Sequence, residues 1–531
     1  MEVVWLFVGW AAVAAQTPKK PPAPPNIVMI LADDLGWGDV GFHNSTVATP
    51  TMDRLVAEGV ELNRHYAHYY CTPSRASLQS GRLPVHLLLA LPGPCDRNGA
   101  IPYNMTGVAE KLKFAGYETH QVGKWDAGLV TPKHTPHGRG YDTSLSYFGH
   151  GNWAWTQKEW GGSETNSTSL PDLSSSSITD LWDTDRPAFE LNGSKHEEYL
   201  FRDRMLSVIA KATKPLFLQY DSKLAHYPLQ APEEYQREPG VVPDNTRVYH
   251  GMVRFLDDQL AAIVGALEPV WNSTLVVFSA DNGGFVEAAD GPCNTTRRGS
   301  GEVGHGTACV NGEFGASNYP LRGGKNSAWE GGIRTVAFAS GGFLPLSARG
   351  SKLDAIVHVA DWYATFCALA GVSPVDNVYP PIDSVNAWPL IIGDATEARA
   401  SFLVDRDAYV RGPWKYIAPN TTLVDDARGG PVYPNMTSFD DPISTYSRVC
   451  GARGCLFNVV DDPFEEHDVV DDNADLVDDL RAELAVQVEA IFTVDHSDDP
   501  ACLTAARDLY GGFYGPWKDA NGKPVRTPRR Q

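Results

Sequence analysis

Two apolar runs that stop abruptly at acidic pairs constrain this chain more than anything else in it. Asn26-Ile-Val-Met-Ile-Leu-Ala32 ends at Asp33-Asp34-Leu35-Gly36, and Ser273 to Ser279 leads straight into Asp281-Asn282-Gly283-Gly284. Unbroken apolar strands are buried on both faces, as in parallel sheets covered by helices. Helical patterns at Met52 to Gly59 and Val108 to Gly116 alternate with further strand-like segments, Tyr117 to Val122 and Pro215 to Tyr220. This alternation predicts an α/β domain with a mainly parallel sheet, whose right-handed crossovers bring the carboxyl ends of the strands to one edge.

Past residue 395 the texture changes. Phe402 to Ile417 alternates like short antiparallel strands, Leu456 to Val460 reads as another, and Asp475 to Phe492 as an amphipathic helix. At 531 residues the chain exceeds a comfortable single core. The expected organisation is therefore a large α/β domain over 26–395 and a smaller α+β domain over 396–531 with a short antiparallel sheet.

Ligands in open α/β sheets collect at the carboxyl ends of the strands. Asp33, Asp34, Asp281 and Asn282 would converge there as an all-oxygen set suited to a hard cation such as Ca²⁺ or Mg²⁺. Taken alone, each pair also reads as a strand-ending turn. The most specific stretch is Cys71-Thr-Pro-Ser-Arg-Ala-Ser-Leu-Gln-Ser-Gly-Arg82. Pro73 is placed to begin a helix and Gly81 to end it, so Cys71 lies at a helix N-terminus, where the dipole favours an anion. Arg75, one turn further in, can face the same point.

Cys-X-Pro-Ser-Arg followed by Leu-X-Ser-Gly-Arg resembles the signature of the type I sulfatases. The likeness runs from Pro25 to Phe492 and takes in Val122-Gly-Lys-Trp125, Pro215 to Tyr235, Phe278 to Gly284 and Leu321 to Arg334. Within the family, His226-Tyr-Pro-Leu-Gln-Ala-Pro-Glu-Glu-Tyr235 is most similar to the arylsulfatase B (N-acetylgalactosamine-4-sulfatase) branch. The resemblance implies an alkaline-phosphatase-like sandwich and hydrolysis of sulfate monoesters, with sulfated sugars as the expected substrates. It further implies that Cys71 is oxidised to formylglycine by a separate generating enzyme during secretion. Asp33, Asp34, Asp281 and Asn282 then match the ligands of one Ca²⁺, with the modified Cys71 as a further one. Arg75 matches the residue that holds the aldehyde hydrate, Lys124 and Lys325 the lysines that grip sulfate, and His226 the histidine that serves the leaving group.

These residue types suit the chemistry the resemblance implies. A sulfate monoester is an anion, so cations that neutralise its nonbridging oxygens help the substitution. One hydroxyl of the hydrated aldehyde would attack sulfur while His226 gives a proton to the departing alcohol, and deprotonation of the second would expel sulfate. One position departs from the family: Gly-Lys-Trp is usually followed by His, and this chain has Asp126. A carboxylate can also accept a proton, and the nearby His134, His137 and His150 are alternative sources of an imidazole. Two other readings share the pattern: a phosphatase or phosphonate hydrolase of the same superfamily, and a catalytically weak protein that binds sulfated glycans.

The remaining features concern compartment and partners. Val3 to Ala15 is a short apolar run ending in small residues, expected to be a signal peptide over 1–15, followed by a Pro-rich spacer over 16–25. No membrane-spanning segment is expected in the mature chain. Eight Asn-X-Ser/Thr sequons suit a surface exposed to glycosylation, at Asn44, Asn104, Asn166, Asn192, Asn272, Asn294, Asn420 and Asn435. An extracellular or lysosome-like destination would pair most of the eight cysteines: Cys450 with Cys455 and Cys293 with Cys309 are candidate loops, and Cys367 reads as a buried thiol. The net charge of −21 argues against nucleic acid as a partner. Specificity is expected to lie in loops such as Gly149 to Thr165 and Gly291 to Asn318, with Trp153, Trp155 and Trp160 as aromatic candidates.

Overall fold

The computed structural model describes residues 23–44, 47–159, 178–236, 244–286, 315–423 and 448–525, with the backbone of 308–309. The signal peptide, most of the spacer, the Gly161 to Ser177 loop, Trp160 and the Cys293–Cys309 pairing lie outside these residues.

Among the described residues the large sheet has ten strands: β1 (Asn26–Ala32), β2 (Val60–Leu62), β3 (Glu118–Lys124), β4 (Thr143–Tyr147), β5 (Trp182–Asp183), β6 (Arg186–Pro187), β7 (Leu216–Asp221), β8 (Thr274–Ala280), β9 (Ala337–Ser340) and β10 (Ser351–Leu353). Their spatial order is β10-β2-β9-β8-β1-β7-β3-β4-β5-β6. The central run from β8 to β4 is parallel, and antiparallel pairs occur only towards the two sides. β1 is buried on both faces because its side chains alternate between two cores. Ile27, Met29 and Leu31 face one that includes Ala76, Leu112 and Phe366, whereas Val28, Ile30 and Ala32 face one that includes Met52, Phe201 and Leu256. Helices therefore cover both sides: α2 (Cys71–Ser80), α3 (Val108–Phe114) and α6 (Asp361–Leu369) on one, and α1 (Pro50–Ala57), α4 (Glu197–Lys211) and α5 (Asp244–Leu267) on the other. This is the helix-covered, mainly parallel sandwich that the apolar runs predict.

A second sheet follows, of four antiparallel strands: β11 (Ser401–Asp405), β12 (Ala408–Arg411), β13 (Trp414–Ile417) and β14 (Cys455–Asn458). It packs with α7 (Ala474–Val488) against Tyr66, Trp329 and Ile333 of the large unit. Inside that junction the buried Lys415 ammonium lies 3.1 Å from Glu330 and also pairs with Glu465. The chain then returns: α8 (Pro500–Asp508) and Trp517 join the same core as Ile27, and a Cys95–Cys502 disulfide fastens them across 407 residues of sequence. Cys450 and Cys455 are bonded to each other as expected, and Cys367 is a buried free thiol. Among the described residues no helix is long and apolar enough to cross a membrane.

Candidate active site

Register brings the two acidic strand ends together. Ala32 of β1 pairs with Ala280 of β8, so Asp33 and Asp281 emerge side by side, and the Asp281 amide donates to the Ala32 carbonyl at 3.0 Å. β7 ends one strand over in Asp221 and β3 in Lys124, whose preceding residue pairs with Asp221. That approach requires glycine: a Cβ on Gly123, which has φ +103, would lie 2.0 Å from the Asp221 carbonyl oxygen. Asp34 also has a left-handed backbone, φ 54, uncommon for a non-glycine residue and typical of functional turns.

The helix starts two residues earlier than Pro73 suggests, with Tyr70 as its N-cap and Cys71 as its first residue, and Gly81 ends it in the left-handed conformation. Proline is tolerated this early because amides of the first turn have no intrahelical acceptor. Cys71 is buried and unpaired. From one turn on, Arg75 reaches back to the strand ends: Nε donates to Asp281 Oδ2 at 2.9 Å, and the Nη atoms lie 3.6 Å from Asp221 and 3.8 Å from Asp33. Arg82, the second arginine of the stretch, is placed elsewhere and anchors Asp376 and the Pro380 carbonyl.

Lys124 Nζ donates to Asp33 Oδ2 at 2.8 Å, and Lys325 Nζ to both oxygens of Asp34 at 2.7 and 2.9 Å. His226 Nδ1 bonds the Tyr227 carbonyl, which turns Nε2 to within 3.7 Å of Asp34. The structure thus gathers Asp33, Asp34, Cys71, Arg75, Lys124, His226, Asp281, Asn282 and Lys325 at one edge of the sheet. Burial, with help from Asp33, pushes the Asp281 carboxyl up to about 7, and burial likewise raises Asp34 against the pull of Lys325. Burial and the two lysines hold His226 well below its ordinary value.

A divalent cation fits these residues. Among the described residues, Asp33 Oδ1 and Asn282 Oδ1 are buried without a hydrogen-bond partner, an arrangement that costs about 1–3 kcal/mol per atom when nothing else satisfies it. Ligand atoms of Asp33, Cys71 and Asp281 lie within 4.8 Å of one another, as do those of Asp33, Asp34 and His226. Oxygen donors crowded in this way suit Ca²⁺ better than a soft metal.

Asp126 lies beside Cys71 and next to a histidine. Its Oδ1 accepts from the Thr72 hydroxyl at 2.9 Å, Lys124 stands 3.6 Å away, and His150 Nδ1 is 3.3 Å from Oδ1. Burial alone would raise this carboxyl, yet His150 and Lys124 outweigh it and hold it well below the usual range. In the same way burial would lower His150, and Asp126 pushes it up to about 10. Of the three nearby histidines only His150 is brought to Cys71. His134 bonds Thr131, and His137 the Tyr141 carbonyl, within their own loop. Among the tryptophans, Trp155 packs edge-on against His196 and Trp153 is half-buried. Asp221 and Thr72 are site residues that the sequence reading does not single out, although Asp221 closes a strand in the manner of Asp33.

Several buried carboxyls lie behind the site. Burial pushes Glu159 and Glu197 up to about 8 and Asp180 up to about 7. A carboxyl whose folded value exceeds its unfolded one withdraws stability as pH rises through the folded value, because the buried group must ionise. Buried His65 and His196, pushed down to about 3, act in the opposite sense but only below the ordinary histidine value of about 6.5. The apparent melting temperature is therefore expected to fall between about pH 6.5 and about pH 8.5, each net proton released being worth about 1.4 kcal/mol per pH unit. Thermal scans at constant ionic strength check this, and a rise over that window contradicts it.

A family model described as sulfatase matches residues 25–372. Arylsulfatase J of Mus musculus is 30% identical, over 96% of this chain and 84% of that protein. The N-acetylgalactosamine-6-sulfatase of Homo sapiens is 28% identical, over 70% of this chain and 66% of its own length. Among solved structures, that of Ps i-CgsB in complex with k-i-k-neocarrahexaose superposes with a TM-score of 0.68 at 25% identity, covering 91% of this chain and 97% of that one.

Proposed function

The chain belongs to the sulfatase family and is a sulfatase, and from that premise we propose that it hydrolyses sulfate esters of sugars with formylglycine made from Cys71 and one Ca²⁺. The observation that carries this reading is the convergence of Cys71, Arg75, two lysines and four oxygen-bearing strand-end residues at one buried point. The bound oligosaccharide in a similar structure and the likeness of His226 to Tyr235 to the arylsulfatase B branch support a sulfated sugar as substrate.

Asp33, Asp34, Asp281 and Asn282 would hold the cation, which supplies positive charge to a bound sulfate. A hydrated aldehyde at position 71 supplies two hydroxyls, one to attack sulfur and one to release the product. The protein's own residues do the rest. Lys124 and Lys325 present fixed ammonium groups to the anion, and in a buried site such charges act at low dielectric without reorganising. Arg75 fixes the carboxylates behind them. His226 faces the site through Nε2 and gives a proton to the departing oxygen, helped by the negative charge of the bound sulfate, which offsets the lysines that depress it. Asp126 stands beside position 71, with Oδ1 accepting from the Thr72 hydroxyl, and belongs with the residues that serve the hydrate.

Mass spectrometry of the peptide around Cys71, from protein made with its generating enzyme, tests the reading; a thiol or a cystine there overturns it. Sulfate release well above phosphate release from paired aryl esters distinguishes a sulfatase from a phosphatase of the same fold. A chelator is expected to lower the melting temperature, by an amount that added Ca²⁺ restores; at a hundredfold excess over Kd the ion contributes about 2.7 kcal/mol. His226→Ala is expected to cost about 10²–10⁴-fold in kcat on alkyl or sugar sulfates and far less on nitrophenyl sulfate, whose leaving group needs no proton. Equal losses on both substrates would remove His226 from that role.

The expected export signal, the sequons and the two disulfides among the described residues support maturation in the secretory pathway and a final extracellular or lysosome-like location. The partners on this reading are a sulfated glycan and, during maturation, the formylglycine-generating enzyme.

A further inference from the structure

Cys71 has two distinct sets of neighbours. Asp33 and Asp281 meet it on the cation side, and Asp126 and His150 form a second set whose ligand atoms also lie within 4.8 Å of one another and of Sγ. Binding a cation or a sulfate gives no reason for the second set. Both oxygens of Asp126 are engaged, by the Thr72 hydroxyl at 2.9 Å and by His150 Nδ1 at 3.3 and 3.4 Å. The Asp126 backbone is itself left-handed, φ 44, so the turn is fixed at some cost.

The loop that brings His150 is pinned from several directions. Asp180 accepts from the amides of Phe148 and Gly149 at 2.9 and 2.7 Å, Lys223 donates to the Asn152 carbonyl, and the Ala154 amide donates to Gln230 at 2.7 Å. A Cβ on Gly151 would lie 3.2 Å from His226 Nδ1, so this loop and the leaving-group histidine are in contact. Such bracing is what a group acting on a reacting atom needs. His150 is half-buried, in touch with both the reacting side chain and solvent.

We propose that His150 is a catalytic residue that hydrogen-bonds the reacting side chain at position 71, and that Asp126 is its positioning partner, not a second independent catalytic group. The proposal rests on the formylglycine reading, in which that side chain carries two hydroxyls. An imidazole holding one of them favours the hydrate over the free aldehyde and places the other for attack. Loss of His150 then has two consequences: slower chemistry, and more free aldehyde in the resting enzyme.

The test uses the mature protein, His150→Asn, Asp126→Asn, the double variant, and His150→Gln, whose amide reaches about as far as the imidazole Nε2 where that of asparagine falls short. Two quantities are read: steady-state constants on nitrophenyl sulfate, and the rate at which methoxyamine condenses with the aldehyde, with loss of water, in the absence of substrate. His150→Asn is expected to lower kcat by about 10²-fold with little change in KM and to speed oxime formation several-fold. Asp126→Asn should move both quantities the same way by less, His150→Gln should recover part of each, and the double variant should match His150→Asn alone. A folded His150→Asn protein with kcat within threefold of wild type, or with an unchanged oxime rate, overturns the proposal, as does a double variant whose loss is the product of the two singles. Absence of any oxime with the wild-type chain overturns the formylglycine reading, and the proposal with it.

Discussion

Cys71→Ser is expected to release no more than one alcohol per chain and no sulfate, a loss of about 10³-fold or more in turnover, while the melting temperature stays within a degree or so of wild type. Serine nearly matches cysteine in size, and Cys71 is buried at the first position of α2 without a disulfide partner, so the fold has little to lose. The chemistry loses its second half. A serine hydroxyl beside the same lysines can attack sulfur once, but it has no second hydroxyl on the same carbon with which to expel sulfate. Progress curves at enzyme concentrations comparable to substrate would show a burst of alcohol, without sulfate, followed by arrest. Repeated turnover by the variant would mean that the hydrate is not needed, and the mechanism would have to be replaced by single-hydroxyl or water attack.

The large sheet is legible in the sequence because parallel strands buried on both faces have few alternatives: Asn26 to Ala32 cannot be a surface element, and its register with β8 follows from two runs of equal length ending in acids. For the same reason the cation side of the site is legible. Asp221 obeys the rule too, but Gln219 interrupts its strand with a polar residue, one that bonds Tyr141 and Asp221 in the buried interior. His150 is harder to find. Three histidines follow Asp126 within one stretch, and nothing in their spacing ranks them; the choice is made by Asp180, about thirty residues on, which draws the Phe148–Gly149 backbone inward. The Cys95–Cys502 bond is invisible for a similar reason, since a sequence separation of 407 carries no periodic signal of closeness. Local pattern reports which residues end a strand, whereas loop closure is settled by single long-range bonds.

Arg75→Met is expected to destabilise the protein by about 3–5 kcal/mol at pH 8, the cost of leaving buried charges unpaired. Arg75 is buried, and its guanidinium is held by Asp281 at 2.8 and 2.9 Å and faces Asp221 at 3.6 Å and Asp33 at 3.8 Å, with a further bond to the Lys124 carbonyl. Methionine fills a similar length without the charge, so the loss is electrostatic and not a cavity. Its pH dependence identifies the cause. Even with Arg75 in place, burial pushes Asp221 up to about 6 and Asp281 up to about 7. Without the cation both values rise further, so the two carboxyls bind protons more readily in the folded state than in the unfolded one. Their stability deficit is then small at about pH 5, where they are protonated, and grows as pH rises through the folded values. Apparent melting temperatures of wild type and variant at about pH 5 and about pH 8 should therefore diverge at the higher pH, and Asp221→Asn in the Arg75→Met background should recover part of the difference. A penalty equal at both pH values would mean that Arg75 acts through packing, and the carboxylates would have to owe their placement to the cation and the lysines alone.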